Sequence, residues 1–160
     1  MVCMTFTRQT WCKINNYQST FITGPGDDSV ATNYGLYAIY TPKTTFDAAE
    51  AICRILGAHL VALETPEEYE NLKPIVPDNA KYWIGGRDVK LTGTFTWIST
   101  GVKLSETFTK WAPGRPFLIS SYPHHRCICW YLSQWNDMPC TSPNGFICEY
   151  WLTSLNNWNC

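Results

Sequence analysis

The stretch Trp-Asn-Asp-Met-Pro-Cys-Thr-Ser-Pro-Asn-Gly-Phe-Ile-Cys-Glu, residues 135–149, decides the fold of this chain. It combines a Trp-Asn-Asp triplet, two cysteines and a short apolar run, and a second apolar run at residues 127–132 precedes it. Apolar and aromatic runs of this length are typical of strands. The end of the chain is therefore predicted to be strand-rich and to carry cysteines in its framework.

Two helices are predicted further upstream. The first covers residues 45–56, where the apolar residues share one face with Cys53 and Gly57 supplies a left-handed stop. The second begins at Thr65-Pro66-Glu67-Glu68, which combines an N-cap, a proline in the first turn and a carboxylate placed to close a capping box. Cys53 is therefore expected to face the core.

Short strands and one long loop complete the pattern. Further strands are predicted at residues 37–40, 59–63, 82–86 and 95–98. Residues 99–125 are irregular and rich in glycine and proline, and a loop of that length usually has a function. Residues 1–35 are polar, with no obvious regular element.

The composition excludes several classes of protein. A length of 160 residues indicates one domain, and 15% aromatic against 16% charged residues excludes intrinsic disorder. A net charge of -1 supplies no field for gathering phosphates, so nucleic acid is not an expected partner. No run approaches the roughly 20 apolar residues of a membrane span.

Eight cysteines, an even number, favour an oxidising compartment, and the protein is predicted to be secreted. Residues 1–20 contain no apolar signal-peptide core, so any signal was removed or the export route is not visible. A zinc cluster with the neighbouring His124 and His125 is the rival interpretation. Cys127 and Cys129 are one residue too close for the usual pair of zinc ligands, and no second pair matches.

Taken together, these features resemble the C-type lectin-like domain over residues 36–150. The motifs that carry the resemblance are, in order, the helix with Cys53, Trp83-Ile84-Gly85, Trp111-Ala112-Pro113-Gly114-Arg115-Pro116, Trp135-Asn136-Asp137, Cys140 and Phe146-Ile147-Cys148-Glu149. The resemblance implies an α+β fold with two helices, two small antiparallel sheets and a long ligand-binding loop region. Residues 1–35 then form an N-terminal extension packed on the domain, and residues 151–160 form a C-terminal tail.

The resemblance also implies two disulfide bonds, Cys53 with Cys148 and Cys127 with Cys140. The four other cysteines, also expected to be oxidised, are Cys3, Cys12, Cys129 and Cys160. They admit three intrachain pairings or a bond to a second chain, so a disulfide-linked or non-covalent homodimer is an open alternative. Leu36 stands where many family members have a cysteine, so the usual N-terminal hairpin disulfide is absent or replaced by Cys3 with Cys12. Cys127 and Cys129 share a strand face, so the choice between them for Cys140 rests on spacing alone.

Sugar-binding members of the family hold calcium with a Glu-Pro-Asn or Gln-Pro-Asp motif, an upstream Glu and the Asn and Asp after the tryptophan. Here the motif reads Arg115-Pro116-Phe117, the upstream Glu falls near His125, and only Asn136 and Asp137 remain. Calcium takes about six to eight oxygen ligands. Arg115 also places a cation where a carboxylate would be, and like charges at ~4 Å repel by about 4 kcal/mol near a surface. The calcium site is predicted to be lost, with no cofactor in its place.

Two interpretations of this loss remain open. In the first, Arg115 pairs with Asp137, takes the place of the ion and presents planar donors to sugar hydroxyls or an acetamido carbonyl. Aromatic residues that would pack on the sugar are Phe117, Tyr122, Trp130 and Tyr131. In the second, Asn136 and Asp137 cap the loop, and Arg115 with Asp137 is a surface ion pair worth under ~1 kcal/mol.

The sequence therefore predicts a secreted, calcium-independent lectin that binds glycans, with N-acetylhexosamines as the suggested ligand. The predicted binding residues are Arg115, Phe117, His125, Asn136, Asp137 and Tyr131. The alternative is a protein-binding module on the same scaffold. An enzyme is not expected, because the chain lacks a motif such as G-x-S-x-G and its cysteines are expected to be oxidised.

Overall fold

A computed structural model describes residues 36–150 and, before them, the backbone of four strands within residues 2–31. The elements are β1 Val2–Phe6, β2 Gln9–Lys13, β3 Thr20–Gly24, β4 Asp27–Ala31, β5 Leu36–Thr44, α1 Phe46–Ile55, β6 Ala58–Leu60, α2 Pro66–Leu72, β7 Tyr82–Arg87, β8 Thr96–Trp97, a 3-10 turn Leu104–Glu106, β9 His125–Tyr131, β10 Gln134–Pro139 and β11 Asn144–Tyr150. The expectation that residues 1–35 lack regular elements is wrong, because β1 to β4 lie there. The tail at residues 151–160 lies outside the described residues.

The α+β class with two helices is confirmed, and the strands join into a mixed sheet. Its order is β10-β9-β7-β11-β5-β4-β3, with β6 on β11 and β8 on β7, while β1 and β2 pair with each other. Within this sheet, β10, β9, β7 and β8 form one antiparallel group, and β11 with β5 and β6 forms a second. The parallel contact of β7 with β11 joins the two groups. β4 pairs antiparallel with β5, so β3 and β4 extend the second group.

Helix α2 begins at the cap that the sequence indicated, and α1 is capped by Thr45. The Thr45 side chain accepts a hydrogen bond from Ala48 N at the start of α1. At α2, Thr65 Oγ1 accepts from Glu68 N at 3.2 Å, and Glu68 Oε2 accepts from Thr65 N at 3.1 Å, which closes a capping box. Neither helix of the described chain has the length and apolar character needed to cross a membrane.

The two disulfide bonds implied by the resemblance are present. Cys53 of α1 is bonded to Cys148 of β11, which ties the first helix to the last strand across 95 residues. Cys127 of β9 is bonded to Cys140, and this bond closes a short segment with a sequence separation of 13 residues. All except Cys140 are fully buried, so both bonds form part of the core.

Cys129 corrects the expectation that every cysteine is oxidised. It carries a free thiol, fully buried in β9, and its Sγ lies 3.2 Å from Met138 Sδ on β10. The expected disulfides of Cys3, Cys12 and Cys160 concern side chains outside the described residues, although the backbone register of β1 and β2 pairs Cys3 with Cys12. Cys127 and Cys129 do share a buried face, and it is Cys127 that reaches Cys140.

Cys129 is expected to resist alkylation in the folded protein. Burial raises the pKa of its thiol to about 12, so the reactive thiolate is scarce at neutral pH and has no access to solvent. Iodoacetamide should leave Cys129 unmodified under native conditions and modify it after denaturation without reductant, as measured by peptide mass spectrometry. Rapid native modification of Cys129, or its recovery in a disulfide, would contradict this assignment.

Glu149 of β11 is a buried carboxyl group. Its Oε2 accepts a hydrogen bond from Ala62 N at 3.2 Å and lies 4.0 Å from His59 Nε2. Burial, with the nearby charges of Glu68 and Glu64, raises the Glu149 pKa to about 7, although the Ala62 hydrogen bond opposes the shift. The folded state therefore binds this proton more tightly than the unfolded chain does.

The stability contributed by protonated Glu149 is expected to be full below about pH 4.5, the pKa of the unfolded chain, and to be lost as the pH rises from there through about 7. The His59 pKa is lowered by burial, so His59 acts in the opposite direction as it gains a proton in the unfolded chain. Glu149→Gln isolates the carboxyl and keeps an acceptor for Ala62 N. In urea unfolding, the free energy of unfolding of this variant should rise relative to that of the wild type by up to about 3 kcal/mol between about pH 5 and pH 8. A difference independent of pH would contradict the assignment.

Candidate functional site

The long loop is fastened to β10 at Trp135. Trp135 N donates to Lys110 O at 2.8 Å, and Ala112 N donates to Trp135 O at 2.9 Å, so residues 110–112 run beside the strand. The indole of Trp135 is fully buried and makes edge contacts with the rings of Trp97, Phe108 and Trp111. This aromatic cluster fixes the point from which the loop reaches over Asn136 and Asp137.

A tight turn then directs Arg115 back toward β10. Arg115 N donates to Ala112 O at 3.0 Å, and Gly114 has φ of 76°. Proline at the second position and a glycine with positive φ at the third are the signature of a type II turn. The next peptide bond, Arg115-Pro116, is cis.

Asp137 is the buried carboxylate to which Arg115 and Phe117 donate hydrogen bonds. Its side chain is 0% exposed, and Oδ1 accepts hydrogen bonds from Arg115 Nη1 at 3.1 Å and from Phe117 N at 3.2 Å. Arg115 Nη1 also donates to the backbone carbonyl of Asp137 at 3.0 Å. The predicted Arg115–Asp137 pair is therefore formed, and its carboxylate is buried. A surface ion pair does not describe it, because the Asp137 side chain is fully buried and only the Arg115 side chain, 22% exposed, reaches solvent.

His125 lies on the other side of Asp137. Its Nδ1 donates to the Asp137 carbonyl at 3.0 Å and lies 3.5 Å from Oδ2, which has no hydrogen bond within the described chain. Because a carbonyl oxygen only accepts, Nδ1 carries the hydrogen. Asp137 is therefore held between a permanent cation and an imidazole.

The side chains of Arg115, Phe117 and Tyr122 form a layered stack next to Asp137. The Arg115 Cζ lies 3.7 Å from the centroid of the Phe117 ring, and the Phe117 and Tyr122 rings lie 4.3 Å apart at 22°. His125 packs at an angle against both rings, with centroids 5.5 Å from Phe117 and 5.2 Å from Tyr122. The Nε and Nη2 atoms of Arg115 make no hydrogen bond to the described chain, so these donors are available to a ligand.

The other predicted residues lie around or away from this group. Asn136 is half-buried on β10, opposite Cys129 in the register, and forms no hydrogen bond with Arg115 or His125. Tyr131 stands at the far end of β9, opposite Gln134, where its ring contacts Lys81. Trp130, considered as a sugar-packing ring, is fully buried and stacks on Tyr69. The structure therefore brings Arg115, Phe117, His125 and Asp137 together and leaves Tyr131 apart.

Tyr122, one of the rings considered for packing on a sugar although not among the predicted binding residues, belongs to the group. It is 46% exposed, and the turn that carries it is closed by hydrogen bonds from Tyr122 N to Leu118 O and from His125 N to Tyr122 O.

The chemistry of the group is that of hydrogen-bond donors beside aromatic rings. Within the part of the chain that the structure describes, no three His, Cys, Asp or Glu side chains are grouped to hold a metal ion. The donors of Arg115 and the rings of the loop suit a neutral polar ligand with an apolar face.

Comparison with known proteins gives consistent matches. The profile of the lectin C-type domain matches residues 42–150. E-selectin of Sus scrofa is 35% identical over 119 residues, covering 70% of this chain, and C-type lectin 37Db of Drosophila melanogaster is 36% identical over 117 residues, covering 71%. The mouse scavenger receptor C-type lectin carbohydrate-recognition domain superposes with a TM-score of 0.68 at 27% identity, covering 76% of this chain and 91% of that domain.

The matched region is a small part of one relative and most of another. It spans 24% of the E-selectin chain and 75% of C-type lectin 37Db. The similarity therefore concerns the domain itself.

Proposed function

Because the chain belongs to the C-type lectin domain family, whose members are non-enzymatic binding domains, we propose that it is a secreted lectin that binds carbohydrate without calcium at the loop carrying Arg115. The observation that carries the proposal is the fully buried Asp137 carboxylate, which accepts hydrogen bonds from Arg115 and Phe117 N. In this proposal the guanidinium neutralises Asp137, as a bound calcium ion would, and its remaining hydrogen-bond donors face the ligand.

The residues present do not fit a calcium ion. Asp137 Oδ1 is already engaged by two donors, and the guanidinium of Arg115 stands within 3.1 Å of it. Calcium needs about six to eight oxygen ligands, and Phe117 and His125 supply no carboxylate where the family pattern has oxygen donors. Placing a divalent cation beside this guanidinium would add repulsion of at least about 4 kcal/mol at ~4 Å.

The charge balance favours a neutral sugar. Arg115 and Asp137 cancel each other, so the site offers directed donors and no net positive field for an acidic ligand. An acetamido carbonyl is a strong neutral acceptor for the Nε and Nη2 donors of Arg115. N-acetylhexosamines are therefore the proposed ligand class.

A glycan array tests this function. The wild type is expected to give hits among N-acetylhexosamine-terminated glycans, with the same hits in EDTA and in millimolar CaCl2. Single-site sugar binding is generally weak, so the proposed homodimer would raise the avidity, and the array should be read with the protein both monomeric and cross-linked.

The second candidate is a protein-binding module. It is favoured by the exposed apolar side chain of Leu118, 75% accessible, next to the exposed ring of Tyr122. An array without any hit, together with capture of a polypeptide that is lost in Leu118→Ala, would favour this function over the lectin.

A further inference from the structure

The stack of Arg115, Phe117 and Tyr122 has a fixed order. The Arg115 Cζ lies 3.7 Å and the Tyr122 ring 4.3 Å from the Phe117 centroid, with the two rings nearly parallel. Both distances are too short for contact at the edge of a ring, so each group lies over a face. Two planar groups so close to one centroid would overlap on the same face. Arg115 and Tyr122 therefore cover opposite faces of Phe117.

This order leaves Phe117 without a free face. A sugar cannot stack on its ring while Arg115 and Tyr122 are in place, so the role of Phe117 is to position the guanidinium over Asp137. The outer face of Tyr122 is different. Tyr122 is 46% exposed although one face of its ring lies on Phe117 and the ring packs at an angle against His125, so the opposite face is the one offered to a ligand.

The stack also sets a distance between the two surfaces open to a ligand. Arg115 and Tyr122 lie about 8 Å apart across Phe117, and a sugar on the outer face of Tyr122 adds about 4 Å of van der Waals separation. A group there is thus about 12 Å from the guanidinium. A single pyranose does not extend that far, so one sugar residue cannot contact Arg115 and the outer face of Tyr122 together.

We propose that this site binds an oligosaccharide through two subsites, with one sugar residue on the free donors of Arg115 and a neighbouring residue resting its apolar face on Tyr122. The inference rests on the proposed lectin function and deepens it, because it makes the preferred ligand a chain of sugars. Tyr122 contributes only when the ligand is long enough to reach it.

The test compares N-acetylglucosamine with its β1→4-linked oligomers by isothermal titration calorimetry. The wild type should bind the longer oligomers about tenfold more tightly than the monosaccharide. Tyr122→Ala should lose that gain and bind every length with the monosaccharide affinity of the wild type. Tyr122→Phe keeps the ring and should keep the gain. Ile55→Ala, which truncates an exposed apolar side chain on α1, outside the loop that carries the site, is the control and should bind as the wild type does.

The outcomes separate this inference from the function on which it rests. If Tyr122→Ala weakens the monosaccharide as much as the oligomers, or leaves oligomer binding intact, the two-subsite inference is overturned and the lectin function stands. If the wild type binds none of these sugars, both the inference and the proposed ligand class are overturned. Circular dichroism of each variant guards against misfolding as the cause of a lost signal.

Discussion

Replacing Arg115 by alanine is expected to remove sugar binding from a domain that still folds. Arg115 supplies the donors that the site turns outward, and hydrogen bonds from a charged donor contribute about 1.5–3 kcal/mol each. The affinity for the best array ligand should therefore fall by at least about thirtyfold, measured by calorimetry. Arg115→Lys keeps the charge but lacks the planar fork, so it should bind only weakly.

The variant also leaves Asp137 buried without its cation, and a control must separate that effect from the loss of binding. Arg115→Ala with Asp137→Asn removes the uncompensated charge and should recover much of the stability lost in Arg115→Ala, while binding stays absent. Recovery of sugar binding in this double variant would show that Arg115 serves only to neutralise Asp137.

Removing the long-range disulfide is expected to have the largest effect on stability. The bond of Cys53 with Cys148 closes a loop with a sequence separation of 95 residues, and the chain-entropy estimate for such a loop is about 5 kcal/mol. In urea unfolding, the double variant Cys53→Ala with Cys148→Ala should have a free energy of unfolding lower than that of the wild type by about that amount. Because this is a large fraction of a domain's stability, partial unfolding near physiological temperature is expected.

The second disulfide provides the matched comparison. Cys127 and Cys140 are separated by 13 residues, so the same estimate gives about 3 kcal/mol for Cys127→Ala with Cys140→Ala. Equal losses for the two pairs, or a larger loss for the short loop, would contradict the entropic account. Cys127 and Cys140 lie close in the sequence to His125 and Asp137, so removing their disulfide should also weaken sugar binding.

The helices and the framework disulfides could be predicted because their signals are local or belong to the family pattern. The capping box at Thr65 depends on side chains within one helical turn. Strand β10 was not predicted, because Asn136 and Asp137 have low strand propensity and only pairing with β9 makes them a strand. The strand predicted at residues 37–40 is longer in the structure, because β5 continues through Pro42 to Thr44, across the irregular part of its pairing with β11.

The pair of Arg115 and Asp137 could be predicted for the same reason, since both stand at motif positions. The layered stack could not. Its order depends on the turn at Gly114, which the hydrogen bonds of Lys110 and Ala112 with Trp135 anchor, and on the fold of the loop around Tyr122. The prediction that Cys129 is oxidised is wrong, because the number of cysteines does not show which of two cysteines on the same strand face has a disulfide partner.

Calorimetric titration of the best array ligand in EDTA and again in millimolar CaCl2 tests the central claim most directly. The same affinity and stoichiometry are expected in both, because Arg115 engages Asp137 Oδ1, and the one carboxylate oxygen without a hydrogen bond, Oδ2, falls far short of the about six to eight oxygen ligands that calcium takes. Binding that appears only with CaCl2, and is abolished by EDTA, would contradict it.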